Sequence, residues 1–252
     1  MSQVSIKENF AKYFDIVFCS TKELEQEAFK IRHSVYAEEL GWEPTSKDSF
    51  ETDKYDAFSH SLLLKHKRTG IYAGTVRLII PPISKPDLKV PFEDNCMESW
   101  MLDNFDPKSL SRNTFGEVSR LAVPSDFRKR AGEKNQPFIF NDFSENEIRN
   151  FPNIAIGLYL SAISLAQICN HKFMFIVVEP RLQKHLERVG LFFLRAGENM
   201  EYHGTRALFY LPKENFEDNF KPEMHELYCH LKSQLFEQIP LFPYTPWSIT
   251  KC

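Results

Sequence analysis

The chain has 252 residues and a formal net charge of −3, from 31 basic and 34 acidic residues, with 42% hydrophobic and 26% charged residues. This balance excludes a disordered chain, which needs fewer apolar residues and more net charge, and a general nucleic-acid coat, which carries a basic excess. The length suits one large domain, or a domain with an extension, that buries its core without staples.

In chain order, Ser20 precedes Glu23 by three residues, a capping-box spacing. Leu24, Ala28, Ile31 and Val35 then recur at helical spacing, which predicts an amphipathic helix over about 21–40, ended by Gly41. Phe29, Arg32 and Tyr36 share a neighbouring face of it. Residues 43–58 are polar and acidic and read as a loop. Residues 60–67 and 71–80 are strand-like and flank a turn at 68–70, a hairpin. Pro81, Pro82, Pro86 and Pro91 break the chain into a long loop. A short helix is expected within 94–105. Residues 117–123 (EVSRLAV) read as a central strand and 127–135 as a basic stretch. A long apolar helix follows over 153–170, then a wholly apolar strand over 173–178 of the kind buried on both faces. Pro180 opens another helix, stopped by Gly190. Residues 207–211 read as a last strand and 222–238 as a last helix. The tail, LFPYTPWSITKC, either packs back on the body or is disordered. The order of elements predicts an α/β fold, a mixed sheet with helices on both faces. Residues 1–212 form the main domain and 213–252 an extension of helix and Pro/aromatic tail.

Cys19, Cys96, Cys169, Cys229 and Cys252 are odd in number, widely spaced and without a Cys-x-x-Cys, so neither a disulfide framework nor a zinc site is expected. Reduced thiols point to a cytoplasmic protein. The histidines do not cluster, and His225 and His230 are five apart rather than i, i+4, so no metal is expected. The N-terminus lacks a signal peptide's apolar run. Residues 154–169 fall short of the roughly 20 needed to span a bilayer and contain Ser161, Ser164 and Gln167, so no membrane span is expected. The 23 phenylalanines fit either an aromatic-lined interior or a Phe-rich core.

The chemistry-bearing candidates are Arg32 on the first helix, Glu51, Asp53 and Asp56 in the acidic loop, Arg77 within GTVRLII, and Glu117 and Arg120 within EVSRLAV. A charge in an apolar strand is costly unless paired. These positions are either surface-facing or a buried carboxylate–guanidinium network at one end of the sheet. Residues 117 and 120 face opposite sides of a regular strand, so lining one cleft requires a bulge between them. A bulge frees backbone N–H groups that can polarise a thioester carbonyl. PSDFRKRAGEKN, with Arg128, Lys129, Arg130 and the single glycine Gly132, is either a phosphate-binding entry to a helix or a solvated basic turn.

Taken together, FKIRHSVYAEELGW, ETDKYD, GTVRL and GEVSRLAV resemble the autoinducer synthases, which make acyl-homoserine lactones, and the related N-acyl amino acid synthases. Residues 178–211 are similar to acyltransferases associated with PEP-CTERM/exosortase systems in bacteria. The resemblance spans about residues 12–212. It implies a GNAT-like (acyl-CoA N-acyltransferase) fold with a V-shaped split between strands 117–123 and 173–178. An acyl thioester of acyl carrier protein or coenzyme A enters that split as co-substrate, with no bound cofactor. Carried over residue by residue, Arg32, Tyr36, Trp42, Asp53, Asp56 and Arg77 bind the small amine substrate. Glu117 is the candidate base, beside Arg120. Backbone N–H groups near Leu121 and Ala122 polarise the carbonyl. Val123, Arg128, Lys129, Arg130 and Phe175 contact the acyl donor. Arg32, Arg77 and Arg120 hold the acidic loop and the substrate carboxylate. The family's Phe after Ser-Arg is Leu121 here, and its phosphate loop is degenerate at residues 128–132. The degenerate loop favours a protein-borne phosphopantetheine arm over free coenzyme A.

The function implied is transfer of a long-chain acyl group to the amine of an amino acid or related molecule. Two alternatives stand beside it: an acyl-homoserine-lactone synthase using S-adenosylmethionine, and a non-catalytic acyl-binding or sensory module on the same fold. The oligomeric state is left open.

Overall fold

Leu62, Leu63 and Leu64 are consecutive and all fully buried. Side chains alternate across a strand, so three buried neighbours require cover on both faces of the sheet. The computed structural model, which describes residues 5–102, 105–128 and 143–238, supplies that cover. Helix α1 (Ile6–Tyr13) leads into β1 (Phe14–Phe18), and α2 (Lys22–Arg32) follows. The hairpin is β2 (Ser59–His66) and β3 (Tyr72–Ile79). Then come α3 (Pro91–Asn95), β4 (Phe115–Ala122), α4 (Glu145–Ile148), α5 (Asn153–Ile168), β5 (Phe173–Val178) and α6 (Pro180–Arg188). The short strands β6 (Leu194–Arg195) and β7 (Met200–Glu201), β8 (Thr205–Pro212) and α7 (Pro222–Gln238) complete the described chain.

The sheet order is β1-β2-β3-β4-β5-β8-β6, with β7 against β8. The β4–β5 pair is parallel and the other pairs are antiparallel. Leu62, Leu64, Met174 and Ile176 pack with Phe10 of α1, Leu158 of α5 and Leu231 of α7. Leu63 packs on the other face with Ala28, Ile31 and Val35. Phe175 likewise turns away from Ile176 and joins Phe92 and Phe115. The result is the α/β architecture with a mixed sheet that the order of elements implies. No helix among the described residues is long and apolar enough to cross a membrane.

Several local expectations are corrected. Thr21, not Ser20, caps α2: its hydroxyl accepts the Leu24 N–H at 3.4 Å. Ser20 is still occupied by the turn leaving β1, donating its N–H to Phe18 O at 2.9 Å. The helix also widens into π-helical turns over His33–Glu39, with the Leu40 N–H reaching Val35 O. Pro91, which reads as a breaker, occupies the first turn of α3, where its missing N–H costs nothing. That places an α-helical turn at 91–95, starting earlier than expected, and a 3₁₀ turn follows at Met97–Ser99, within the expected range. Neither α1 nor β1 was apparent from the pattern, because β1 is a five-residue FDIVF whose buried and half-buried alternation directly follows a helix.

Two irregularities shape the centre of the sheet. The β4–β5 ladder runs from Phe115–Phe173 to Val118–Ile176 and stops, although β4 continues to Ala122 and β5 to Val178. Against β3, Ser119 opposes Arg77 and Ala122 opposes Thr75, so β4 carries one extra residue there. Arg120 sits at φ +51°, a left-handed conformation that costs a side-chain-bearing residue about 1–2 kcal/mol. The bulge therefore lies at 120–121, just beyond the expected interval. A bulge bends its strand, and this one coincides with the separation of β4 from β5.

At the free edge of the sheet, α7 lies along β1. Gln234 accepts the Ile16 N–H at 3.2 Å, and Gln238 accepts the Phe18 N–H at 2.8 Å while donating to Ile16 O at 3.0 Å. Leu227, Tyr228, Leu231 and Leu235 of the same helix belong to the main core. The tail beyond Gln238 lies outside the described residues.

Because Leu63 alone of the three leucines faces α2, Leu63→Ala should loosen that helix and destabilise the protein by about 2–5 kcal/mol in urea unfolding.

Candidate functional site

Arg32, in the last turn of α2, is fully buried, and Arg77 on β3 is 1% exposed. Burying a guanidinium is tolerable only when carboxylates surround it. Arg32 Nε donates to Glu51, and its two terminal nitrogens grip the two Asp56 oxygens at 2.7 and 3.1 Å. Arg77 takes Asp53 in the same forked manner at 2.7 and 2.9 Å, reaches Asp56 at 2.6 Å, and donates from Nε to Ser119 Oγ at 3.1 Å. Arg120 binds Glu51 and Glu43, each at 2.9 Å, and lies 3.6 Å from Asp53. The contacts close on themselves: Arg120, Glu51, Arg32, Asp56, Arg77, Asp53 and back to Arg120. Three cations alternate with three anions around a ring.

The acidic loop is shaped to present these groups. Asp56 accepts the Asp53 N–H at 2.8 Å and Asp53 accepts the Tyr55 N–H at 2.9 Å, so the carboxylates pin their own backbone turn. Burial favours neutral carboxyls, but hydrogen bonds and charge from Arg77 and Arg32 prevail and hold Asp53 and Asp56 below the usual range. Burial likewise opposes the charge on Arg32 and Arg120, and their carboxylate partners outweigh it.

Glu117 stands apart from the ring. It is 2% exposed, two residues before Ser119 and on the same strand face. Its Oε2 accepts the Phe92 N–H at 2.7 Å. Its other oxygen has no protein partner among the described residues. Burial pushes its pKa up to about 8, against the lowering effect of the Phe92 N–H and Arg77. Glu117 lines a small cavity of about 120 Å³ on which the charged and polar groups of Tyr36, Trp42, Glu43, Asp53, Arg77, Ser119 and Arg120 converge, beside Val118, Val177 and Met200. A second cavity, about 520 Å³, is walled mainly by Val35, Leu40, Leu121, Val123, Phe151, Ala155, Tyr159, Ile176, Val178 and Leu182, together with Glu179 and His185. Tyr36, Trp42, Val118, Ser119, Arg120, Val177 and Arg206 line both, so the cavities meet where β4 and β5 part. The Tyr36 hydroxyl donates to Leu121 O at 2.8 Å, tying the bulged segment to the π-helical turns.

The residues singled out from the sequence fall into groups. Glu117, Arg120, Arg77, Asp53, Tyr36 and Trp42 line the smaller cavity; Leu121, Val123 and Arg128 line the larger one. Arg32 and Asp56 stand behind them in the ring. Ala122 is buried opposite Thr75 and lines neither cavity. Phe175 must be reassigned: it pairs with Glu117 where the ladder is still closed, and its buried ring stacks on Phe92 at 4.3 Å. Ile176, Val177 and Val178 line the cavity instead. Arg128 is paired with Glu39. Lys129, Arg130 and Gly132 lie outside the described residues. Arg32, Arg77 and Arg120, assigned to the substrate carboxylate as well as to the loop, are all engaged by the protein's own carboxylates. Glu43, Tyr202, His203 and Arg206 also line the site and were missed. Arg206 had a readable signal, a charge opening the apolar strand TRALFYL.

Removing one ring member strands its partners. Arg32→Met should cost about 3–5 kcal/mol at pH 7, because Glu51 and Asp56 lose a buried counter-charge. The stabilisation from the depressed Asp56 is present above its ordinary pKa and lost as pH falls through the lower native value. Unfolding curves should therefore show the two proteins converging in acid.

Comparison with known proteins bears on the fold that carries this site. Residues 31–135 match the model of an acetyltransferase (GNAT) domain. The acyl-homoserine-lactone synthase of Aeromonas hydrophila is 25% identical over 116 residues, 44% of this chain and 48% of that protein. The chain thus spans about half the length of the curated relative it matches. Among solved structures, TofI in a ternary complex with an inhibitor and MTA superposes with a TM-score of 0.58 at 15% identity, over 84% of this chain and 99% of that one. The coenzyme A-dependent acyl-homoserine lactone synthase BjaI with MTA gives 0.57 at 15% identity, over 88% and 89%. At such identities the likeness is one of fold. Over part of its length the chain is thus similar to an acetyltransferase (GNAT) domain and to an acyl-homoserine-lactone synthase, and its fold is that of solved autoinducer synthases.

Proposed function

We propose that the protein is an N-acyltransferase that moves a long-chain acyl group from a thioester to the amine of an amino acid or a related small molecule. One observation carries the reading: a buried carboxyl with a raised pKa, Glu117, lines a small cavity that adjoins a larger one of 520 Å³ walled mainly by aliphatic and aromatic side chains. That volume lies within the roughly 300–1,000 Å³ common for small-molecule sites. The acyl chain occupies the larger cavity, and its thioester lies at the split, beside Ser119 and Val177. Acyl carrier protein or coenzyme A supplies the thioester.

An ammonium has no lone pair, so it first loses a proton to ionised Glu117, directly or through one water. The freed amine attacks the thioester carbon, the C–N bond forms, the C–S bond breaks, and the proton that the nitrogen sheds on becoming an amide balances the one the leaving thiolate takes up. Backbone N–H groups of the bulged Arg120 and Leu121, beyond the end of the β5 ladder, stabilise the oxyanion. The ring holds the acidic loop as one wall of the acceptor cavity, which contributes positioning.

A second reading is favoured by the curated relative, an acyl-homoserine-lactone synthase. In it S-adenosylmethionine is the acceptor, and the lactone forms with release of methylthioadenosine. That product distinguishes the two.

Purified protein given acyl carrier protein or coenzyme A thioesters and a panel of amines should release thiol; no release with any pair ends the reading. Glu117→Gln, which retains an acceptor for the Phe92 N–H, should fold and lose at least about tenfold in rate. Wild-type kcat/KM should climb about tenfold per pH unit up to roughly pH 8, then level, and the variant should lack that limb. The raised pKa also means that the native state holds its proton longer than the unfolded chain. Wild-type stability should therefore fall between about pH 4.5 and 8, and Glu117→Gln should remove this loss.

A further inference from the structure

Five guanidinium groups line or support the two cavities, and four of them are paired with carboxylates. Arg32, Arg77 and Arg120 are held by Glu51, Asp56, Asp53 and Glu43, and Arg128 by Glu39. The fifth, Arg206, has no carboxylate partner among the described residues, and its Nε is buried without a hydrogen bond. It lies over the Trp42 ring, its guanidinium carbon 5.1 Å from the ring centroid. His203, from the turn between β7 and β8, stacks on Trp42 at 5.3 Å, and Tyr36 faces the same indole at 6.1 Å. The indole thus fixes Arg206 at the place where the cavities join.

We propose that Arg206, held on Trp42, rather than Arg32, Arg77 or Arg120, is the anchor for the acceptor's carboxylate. This rests on the acyltransferase reading above and names the residue that orients its acceptor. The charge layout supports it. The six-membered ring is neutral, so what remains on the smaller cavity's wall is the Glu43 and Glu117 carboxyls and the Arg206 cation. A zwitterion matches that layout, with its nitrogen toward Glu117 and its carboxylate toward the guanidinium. The planar fork of its two terminal nitrogens suits a carboxylate. Arg206 acts on binding and orientation and takes no part in proton transfer.

The test compares L-α-amino acids and S-adenosylmethionine with matched carboxamides, using wild type, Arg206→Gln and Arg206→Lys. Wild type should prefer the carboxylate of each active pair by at least about tenfold in kcat/KM, the discrimination expected of a charge-assisted bond. Arg206→Gln should raise KM for the carboxylate acceptor by at least about tenfold, leave KM for the carboxamide and the thioester within about twofold, and abolish the preference. Arg206→Lys should restore part of it. A wild type indifferent to carboxylate or amide overturns the proposal. So does a variant that weakens both acceptors alike, or one that changes only the thioester KM, the outcome for a guanidinium serving a donor phosphate. Ligand-induced shifts in melting temperature separate this proposal from the acyltransferase reading. An inert wild type that is stabilised by amino acids, with Arg206→Gln no longer stabilised, removes the reading and keeps the anchor. An inert wild type that binds none removes both.

Discussion

The site depends on a closed alternation of charge. Neither Arg32 nor Arg77 has water to solvate it, and each is tolerated because two carboxylates lie against it and are in turn shared. Sharing makes the arrangement cooperative: Asp56 joins Arg32 to Arg77, and Glu51 joins Arg32 to Arg120. The ring spans α2, the acidic loop, β3 and β4, so it is also what fixes the loop against the sheet. A hydrophobic substitute of equal volume could fill the same space, but it would not orient a loop whose backbone turns are held by the same carboxylates.

The bulge and the split are two views of one event. β4 leaves β5 after Val118 and gains an extra residue opposite β3 at Arg120. That turn brings the Arg120 guanidinium to the wall that Glu117 and Ser119 also line. It also opens the strand edge where the two cavities meet. A local backbone cost of about 1–2 kcal/mol at Arg120 is offset by the two carboxylates that hold its side chain, Glu43 and Glu51.

Much of this was legible in the sequence, for physical reasons. Long elements announce themselves by period: α5, β5 and α7 all fall close to where their apolar patterns place them. The charges inside apolar strands marked Arg77, Glu117 and Arg120, and their spacing required an irregularity in β4. The short elements did not show, because five residues of β1 and two each of β6 and β7 are too few for a period to emerge. Nor could the sequence tell which phenylalanines line a cavity and which fill the core. Phe175 differs from Val177 only by lying below the point where the ladder ends. The state of a guanidinium is equally invisible: Arg77 and Arg206 look alike in sequence, and only the fold shows one saturated and the other with an idle donor.

The two glutamines of α7 have a consequence outside catalysis. By bonding Ile16 and Phe18 they occupy the outward-facing amides of the terminal strand, the groups through which an unprotected sheet recruits another chain. A chain shortened before Gln234 would present a bare, apolar FDIVF ribbon, and its first failure would be self-association by strand addition rather than loss of acyl-transfer chemistry.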